Sequence, residues 1–299
     1  EAFVKRYSED VRLRLKLNTW LTKEHIIRTK IVPFFGPKRM CDISPKDVVD
    51  WQNKMVGSYD DEGKPYSGTY LRTINNQLNA IFNHAVKYYG LGKSPAAPTI
   101  KIGERQGSEM KFWTKEQYLA FSEEVMDKPA SFYAFEILYW CGLRVGELLA
   151  LEPNDIDLGK CLIHVTKSYQ RIRRRDVITS PKTHKSKRDV VMPEFLADKL
   201  ADFLGSIPEE RRAYRIFCFT KSYLHHEMKR GCAACGLEPI RIHDLRHSHV
   251  SLLIEMGFSA IAIADRLGHE TYEMTLRYAH LFPSKQSDMA AALDQRRRP

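Results

Sequence analysis

The sequence predicts a mainly α-helical protein that carries one small antiparallel β-sheet and is divided into two domains. Three observations lead there. A chain of 299 residues exceeds one typical compact domain. Helix caps and 3.6-residue apolar spacing dominate both ends. Alternating β-branched residues are confined to a middle stretch between Cys161 and Met192.

Taken in order, Thr19 is placed to cap a helix that runs to Ile31 and is stopped by Pro33. Ser44-Pro45 sets a cap before proline at the first helical position, and Ser67 opens a helix that Gly90 closes. Along that last helix Leu71, Ile74, Leu78, Ile81, Phe82, Ala85 and Tyr89 recur at helical spacing and read as core. From Gly92 to Lys111 the pattern lapses into glycine, serine, proline and charge, which is linker composition. We therefore place a helical domain at 1–92, a linker at 93–111 and a second domain at 112–299. There Thr114 and Gln117 form a capping box, and an apolar helix around Phe132 to Leu143, interrupted by Glu136, leads to Cys141-Gly142. Cys161 to Thr166, Asp176 to Thr179 and Asp189 to Met192 read as strands. Helices return from Glu194, with caps at Ser259, Thr271 and Ser284.

The formal net charge of +10 points to a polyanionic partner. No apolar stretch is long enough to span a bilayer, so a membrane partner is not expected. No secretory signal is visible, and the chain opens on Glu1, so we expect a natural amino-terminal part to precede it. Six cysteines without scaffold spacing indicate a reducing compartment. Cys232-Ala-Ala-Cys235, with His225 and His226 upstream, has the look of a zinc site, but it falls within one helix, and we read it as buried thiols. The basic charge is concentrated. Between Lys167 and Arg188, the residues Arg171, Arg173, Arg174, Arg175, Lys182, Lys185 and Lys187 face a single acid, Asp176. Such a run repels itself unless an anion lies across it, which makes it a candidate DNA-contacting hairpin.

A second group of residues carries chemistry. Arg144, His243, Arg246, His269 and Tyr278 together suit attack of a phenol on a phosphodiester, whose transition state gathers charge that two planar guanidiniums can grip. His243 and Arg246 are three apart on an expected helix and share one face. Singly, each has an ordinary structural reading. Jointly, they define a site.

These residues also carry a resemblance. Arg144 within CGLRVGELLAL, Lys182 of Pro181-Lys182-Thr183 followed by Ser186 and Arg188, the HDLRHSH segment, LGH and Tyr278 are similar, in order, to the tyrosine recombinase, or phage integrase, family. The first domain resembles that family's helical core-binding domain. The texture is most similar to integrases of phages and conjugative transposons from Gram-positive bacteria.

The resemblance implies a two-domain DNA clamp. Arg144 and Arg246 would hold the scissile phosphate, His243 and His269 would be the active-site histidines, and Lys182 would protonate the leaving 5′-hydroxyl, with Lys185 and Lys187 as neighbours close enough to take that role. Tyr278 would be the nucleophile that forms a 3′-phosphotyrosine, and Glu147 would orient Arg144. Arg171, Arg173, Arg174, Arg175, Lys185, Lys187 and Arg188 would bind DNA. No metal or other cofactor is required. The implied partners are double-stranded core sites, three further copies in a tetramer assembled from monomers, and an excisionase-type directionality factor, all in a bacterial cytoplasm. The tail from Ser284 to Leu293 would dock on a neighbouring subunit. Type IB topoisomerase-like nicking, a Xer-like resolving recombinase and a DNA-binding protein without catalysis are the competing readings.

Overall fold

A computed structural model describes residues 1–104, 110–181, 184–211, 214–276 and 278. Lys182 and the tail from Ser284 to Leu293 lie outside the described residues. The chain forms two compact units, Glu1–Ser108 and Glu109–Pro299.

The first unit contains helices α1 (Ala2–Arg12), α2 (Leu17–Ile26), α3 (Val32–Phe35), α4 (Pro45–Val56) and α5 (Gly68–Tyr89). Two caps stand where the sequence placed them. Ser44 accepts from Asp47 N–H in a reciprocal box, and Ser67 accepts from Tyr70 N–H. The α2 region departs from expectation. It starts at Leu17 behind Lys16 rather than at Thr19, and Pro33 does not stop it, because a π-helical turn, Ile27–Ile31, joins α2 to α3. Proline lacks an N–H and crowds the carbonyl four residues back, and the wider π turn lets the chain pass that point. Ile27 and Ile31 are thereby buried beside Tyr7, Phe35 and Trp51.

Leu71, Ile74, Leu78, Ile81, Phe82 and Ala85 of α5 are buried, whereas Tyr89 is exposed and its hydroxyl donates to Asp10 at 2.6 Å. Polar composition from residue 93 onward does not free that segment from the unit. Ala96 is buried, Ile102 packs on the core, and the Ile100 carbonyl accepts from buried Gln52 at 2.9 Å.

The second unit opens with α6 (Lys115–Glu123), whose Thr114–Gln117 capping box is present, followed by α7 (Pro129–Trp140) and the short α8 (Val145–Leu148). Strands β1 (Ile156–Asp157), β2 (Leu162–Val165), β3 (Ser168–Ile172), β4 (Arg175–Thr179) and β5 (Arg188–Val191) follow. They form an antiparallel sheet in the order β1-β2-β5, with Ile163 opposite Val190, and a separate β3-β4 hairpin. The hairpin turns through Arg173 and Arg174, both with positive φ, 49° and 64°. Two left-handed arginines cost roughly 1–2 kcal/mol each, so this tip carries charge where the turn alone would favour Asn-Gly. The chain continues through α9 (Glu194–Gly205), α10 (Lys221–Cys235), α11 (Asp244–Glu255), α12 (Ala260–Leu267) and α13 (Glu273–Leu276). Ser259 caps α12 as expected, but α13 opens at Glu273, beyond Thr271. In α10, burial pushes the Cys232 thiol up to about 12, and Cys235 donates to the Gly231 carbonyl.

Glu136, the interruption in the apolar α7, is buried, and its carboxylate accepts from the Tyr118 hydroxyl at 2.6 Å and the Ser122 hydroxyl at 3.1 Å. An apolar residue there would strand two buried donors. Glu136→Ala should therefore destabilise the second unit by about 2–5 kcal/mol, although it makes α7 more uniformly apolar. Urea denaturation checks this, and an unchanged midpoint would show that the two hydroxyls find other partners.

Candidate active site

Four segments of the second unit converge on one cluster of basic side chains. Arg144 stands at the amino end of α8, Arg188 opens β5, His243 and Arg246 lie at the start of α11, and His269 follows α12. Glu147 sits among them, 3 % exposed. Its carboxylate accepts from Arg144 at 2.7 Å and from both terminal nitrogens of Arg188 at 3.2 and 3.0 Å, and it also caps the Arg144 backbone N–H at 3.0 Å. Burial works to raise the Glu147 pKa, but the charges and hydrogen bonds of Arg188 and Arg144 prevail and hold it below the ordinary value.

The arginines are further oriented by backbone carbonyls. Arg246 is buried and donates to Gly142 O and Leu267 O, both at 2.7 Å. Arg144 reaches Gly268 O at 3.4 Å, and Arg188 reaches Arg266 O at 3.0 Å. Two of these acceptors are on glycines in the left-handed region, Gly142 at φ +64° and Gly268 at +62°. A Cβ on Gly268 would stand 2.7 Å from Lys185 O and 2.9 Å from Arg188 Cδ, so the Leu-Gly-His turn fits against the entry to β5 only without a side chain.

Three guanidiniums facing one carboxylate leave a local positive excess. It acts on the histidines. His243 is pushed down to about 4 by burial first and then by His247, Arg246 and Arg144. His269, whose Nδ1 meets the Thr275 hydroxyl at 2.8 Å, is pushed down to about 3 by burial, Arg246 and Arg144. Both are neutral near pH 7 and can donate a hydrogen bond without adding charge. Burial and Arg144 lower Arg246 to about 9, which leaves it charged. The site is an anion receptacle, with fork-shaped donors already fixed.

Tyr278 completes it. The side chain is 4 % exposed, seated on Val250 and Ile254 of α11 and Ile263 and Leu267 of α12. Its hydroxyl meets Nδ1 of His247. His247 was not among the residues singled out from the sequence, which tracked only the three-residue step from His243 to Arg246. The four-residue step from His243 to His247 was there to be read, since it puts both rings on one helix face.

Around the site, the hairpin residues Arg171, Arg173, Arg174 and Arg175 are exposed, as are Lys185 and Lys187. Arg188 differs from them. Expected among the DNA-binding charges, its side chain is only 7 % exposed and turned inward onto Glu147. The Lys185 ammonium donates to Glu270 O at 3.3 Å, beside His269.

With this geometry in hand, comparison with known proteins gives a consistent result. Residues 111–285 match the Phage integrase family, and residues 1–56 match the Phage integrase N-terminal SAM-like domain. The ICEBs1 integrase of Bacillus subtilis (strain 168) is 30 % identical, with 96 % of this chain and 80 % of that protein covered. The Tn1549 transposon integrase in complex with a circular-intermediate DNA superposes with a TM-score of 0.78 at 20 % identity, covering 98 % of both chains. A lambda integrase tetramer bound to a Holliday junction superposes with a TM-score of 0.64 at 19 % identity, covering 90 % of this chain and 77 % of that one.

The carboxylate at the centre generates a prediction. Glu147→Gln should lower stability at pH 7 by about 3–5 kcal/mol, because Arg188 keeps its buried charge without a counter-charge. Since the folded-state pKa of Glu147 is depressed, its stabilisation is present above the ordinary carboxylate range and lost as pH falls through the folded value. The gap between wild type and variant should be widest at neutral pH and close in acid. A gap independent of pH would place the effect elsewhere.

Proposed function

The chain belongs to the phage integrase family and is a tyrosine recombinase, an enzyme that cleaves and rejoins DNA strands, and from that premise we propose that Tyr278 is its nucleophile, forming a 3′-phosphotyrosine at the recombination site of a mobile element. The observation that carries this reading is the delivery of a buried phenol hydroxyl to the same cluster that fixes Arg144 and Arg246 for an anion.

In this mechanism the scissile phosphate enters the receptacle. Arg144 and Arg246 take its non-bridging oxygens, and neutral His243 and His269 donate further hydrogen bonds. The Tyr278 oxygen attacks phosphorus, the bond to the 5′ oxygen breaks, and the departing 5′-hydroxyl takes a proton from Lys182, a role supported by the family resemblance. Charge accumulates on the phosphate where the donors already stand, so little reorganisation is needed. The ester energy is kept in the bond to Tyr278, and a 5′-hydroxyl from a second duplex reverses the step. No nucleotide cofactor enters. Glu147 and Arg188 orient Arg144, and Arg171, Arg173, Arg174, Arg175, Lys185 and Lys187 contact duplex backbone. The two domains close on DNA as a clamp, and four copies join two duplexes in the bacterial cytoplasm, with an excisionase-type factor setting direction. The tetramer of lambda integrase on a Holliday junction supports that assembly.

Two outcomes test the mechanism. Tyr278→Phe should bind its site within a few-fold of wild type yet form no covalent complex. Arg144→Lys and Arg246→Lys should each slow cleavage by about 10²-fold or more, since a point charge does not replace a fork. Denaturing gels of protein trapped on nicked DNA measure both, and wild-type cleavage by Arg144→Lys would refute the receptacle geometry.

The leaving group is tested separately. Lys182→Ala should be slow on ordinary DNA and largely restored on a substrate with sulfur at the bridging position, because a thiolate departs without a proton. Full activity of Lys182→Ala on the oxygen substrate, with sulfur rescue of Lys185→Ala or Lys187→Ala, would move the acid along the hairpin.

A further inference from the structure

The mechanism above leaves one proton without a destination. A phenol has a pKa near ~10, so the Tyr278 hydroxyl is protonated at neutral pH and must lose its proton as it attacks. His243 and His269 are occupied with the phosphate, and His269 Nδ1 is engaged by Thr275. The group on the hydroxyl itself is His247, through Nδ1, with the two rings 5.6 Å apart and inclined at 51°.

The charge beside His247 favours one tautomer. Its Nε2 faces Asp244 Oδ1 at 3.8 Å. Asp244 is buried and held in place by Arg241, which donates to it from its backbone N–H at 3.0 Å and from its guanidinium at 2.9 Å. A carboxylate on the Nε2 side favours hydrogen there and leaves Nδ1 as the acceptor that Tyr278 needs. The His243 ring packs edge-on at 5.2 Å and limits the rotation of His247. Arg241, Asp244, His247 and Tyr278 thus follow one another in space, with a carboxylate charge on one side of the imidazole and the Tyr278 hydroxyl on the other.

We propose that His247 is the catalytic base that takes the Tyr278 proton, an assignment that rests on Tyr278 being the nucleophile. As the tyrosine oxygen bonds to phosphorus, its proton passes to Nδ1 and the imidazolium is stabilised by Asp244. The 5′ oxygen leaves with a proton from the acid, so one proton enters at His247 and one departs with the 5′-hydroxyl. In religation the imidazolium returns its proton to the phenol, and the enzyme is regenerated without solvent exchange. The same residue therefore serves both directions of a reversible reaction.

The experiment uses the full chain and a nicked duplex carrying the joined ends of the element that encodes it. His247→Asn places an amide oxygen near the position of Nδ1, where it can hold the hydroxyl but cannot accept its proton. His247→Asn and His247→Ala should both slow covalent-complex formation by about 10²-fold or more, with binding within twofold of wild type. Replacing Tyr278 in His247→Asn by a fluorinated tyrosine, whose phenol ionises at neutral pH, should restore most of the lost rate, because an ionised nucleophile needs no base. Wild-type rates in His247→Asn, absence of rescue by the fluorinated tyrosine, or loss of DNA binding in His247→Asn would each overturn the proposal. Tyr278→Phe separates the two readings. If it still forms the covalent complex, the nucleophile is wrong, whereas an inert Tyr278→Phe beside an active His247→Asn removes only the base.

Discussion

The site depends on the Glu147 carboxylate. Three guanidiniums cannot be gathered at one partly dry site without mutual repulsion, worth roughly several kcal/mol for a close pair. Glu147 opposes it from the centre, bridging Arg144 at the start of α8 and Arg188 at the start of β5. Because Arg188 also grips the carbonyl of Arg266, and Arg144 that of Gly268, the same carboxylate ties the end of α12 to the sheet and to α8. The residual positive charge is left for the substrate to neutralise, and DNA binding and active-site assembly share one electrostatic driving force.

Burial, with that excess added to it, explains why the histidines are neutral. Burial and the arginines push His243 down to about 4 and His269 down to about 3. In the proposed mechanism a phosphodiester brings negative charge to the same place, and the transition state brings more. A neutral N–H donor binds an oxygen more strongly as that oxygen gains negative charge, which is the differential binding that catalysis requires. His247 has the Asp244 carboxylate 3.8 Å from its Nε2, on the side away from the Tyr278 hydroxyl.

Much of this was legible in the sequence, and the limits were physical. Caps announce themselves locally, so Ser44, Ser67, Thr114 and Ser259 could be read from residue type and spacing alone. Pro33 misled because its penalty is also local, whereas the π turn that absorbs it is maintained by tertiary burial of Ile27 and Ile31. The segment from residue 93 looked like linker because composition does not register a backbone carbonyl used by a buried glutamine. Within the site, Arg144, His243, Arg246, His269 and Tyr278 stood out as a chemical set. Arg188 was grouped with its exposed neighbours because charge runs carry no sign of which member points inward. His247 was overlooked because its meaning comes only from Tyr278, which the fold delivers from 31 residues away.

The inward turn of Arg188 bears on the lysines beside it. Arg188, the first residue of β5, turns onto Glu147, whereas Lys187, in the bend before the strand, is exposed. That exposure suits the contact with duplex backbone proposed for Lys187. Lys185 has its ammonium on the Glu270 carbonyl and its own carbonyl against Gly268, so that moving it into the pocket would disturb the turn that presents His269. A general acid must approach the leaving oxygen and withdraw again without displacing its neighbours. The contacts of Lys185 and the exposure of Lys187 suit neither to that task, which leaves the proposal for Lys182 as it stands. The anchoring has a second consequence: because the segment from Lys185 to Arg188 packs against the turn at Gly268, that segment and His269 share one point of close contact.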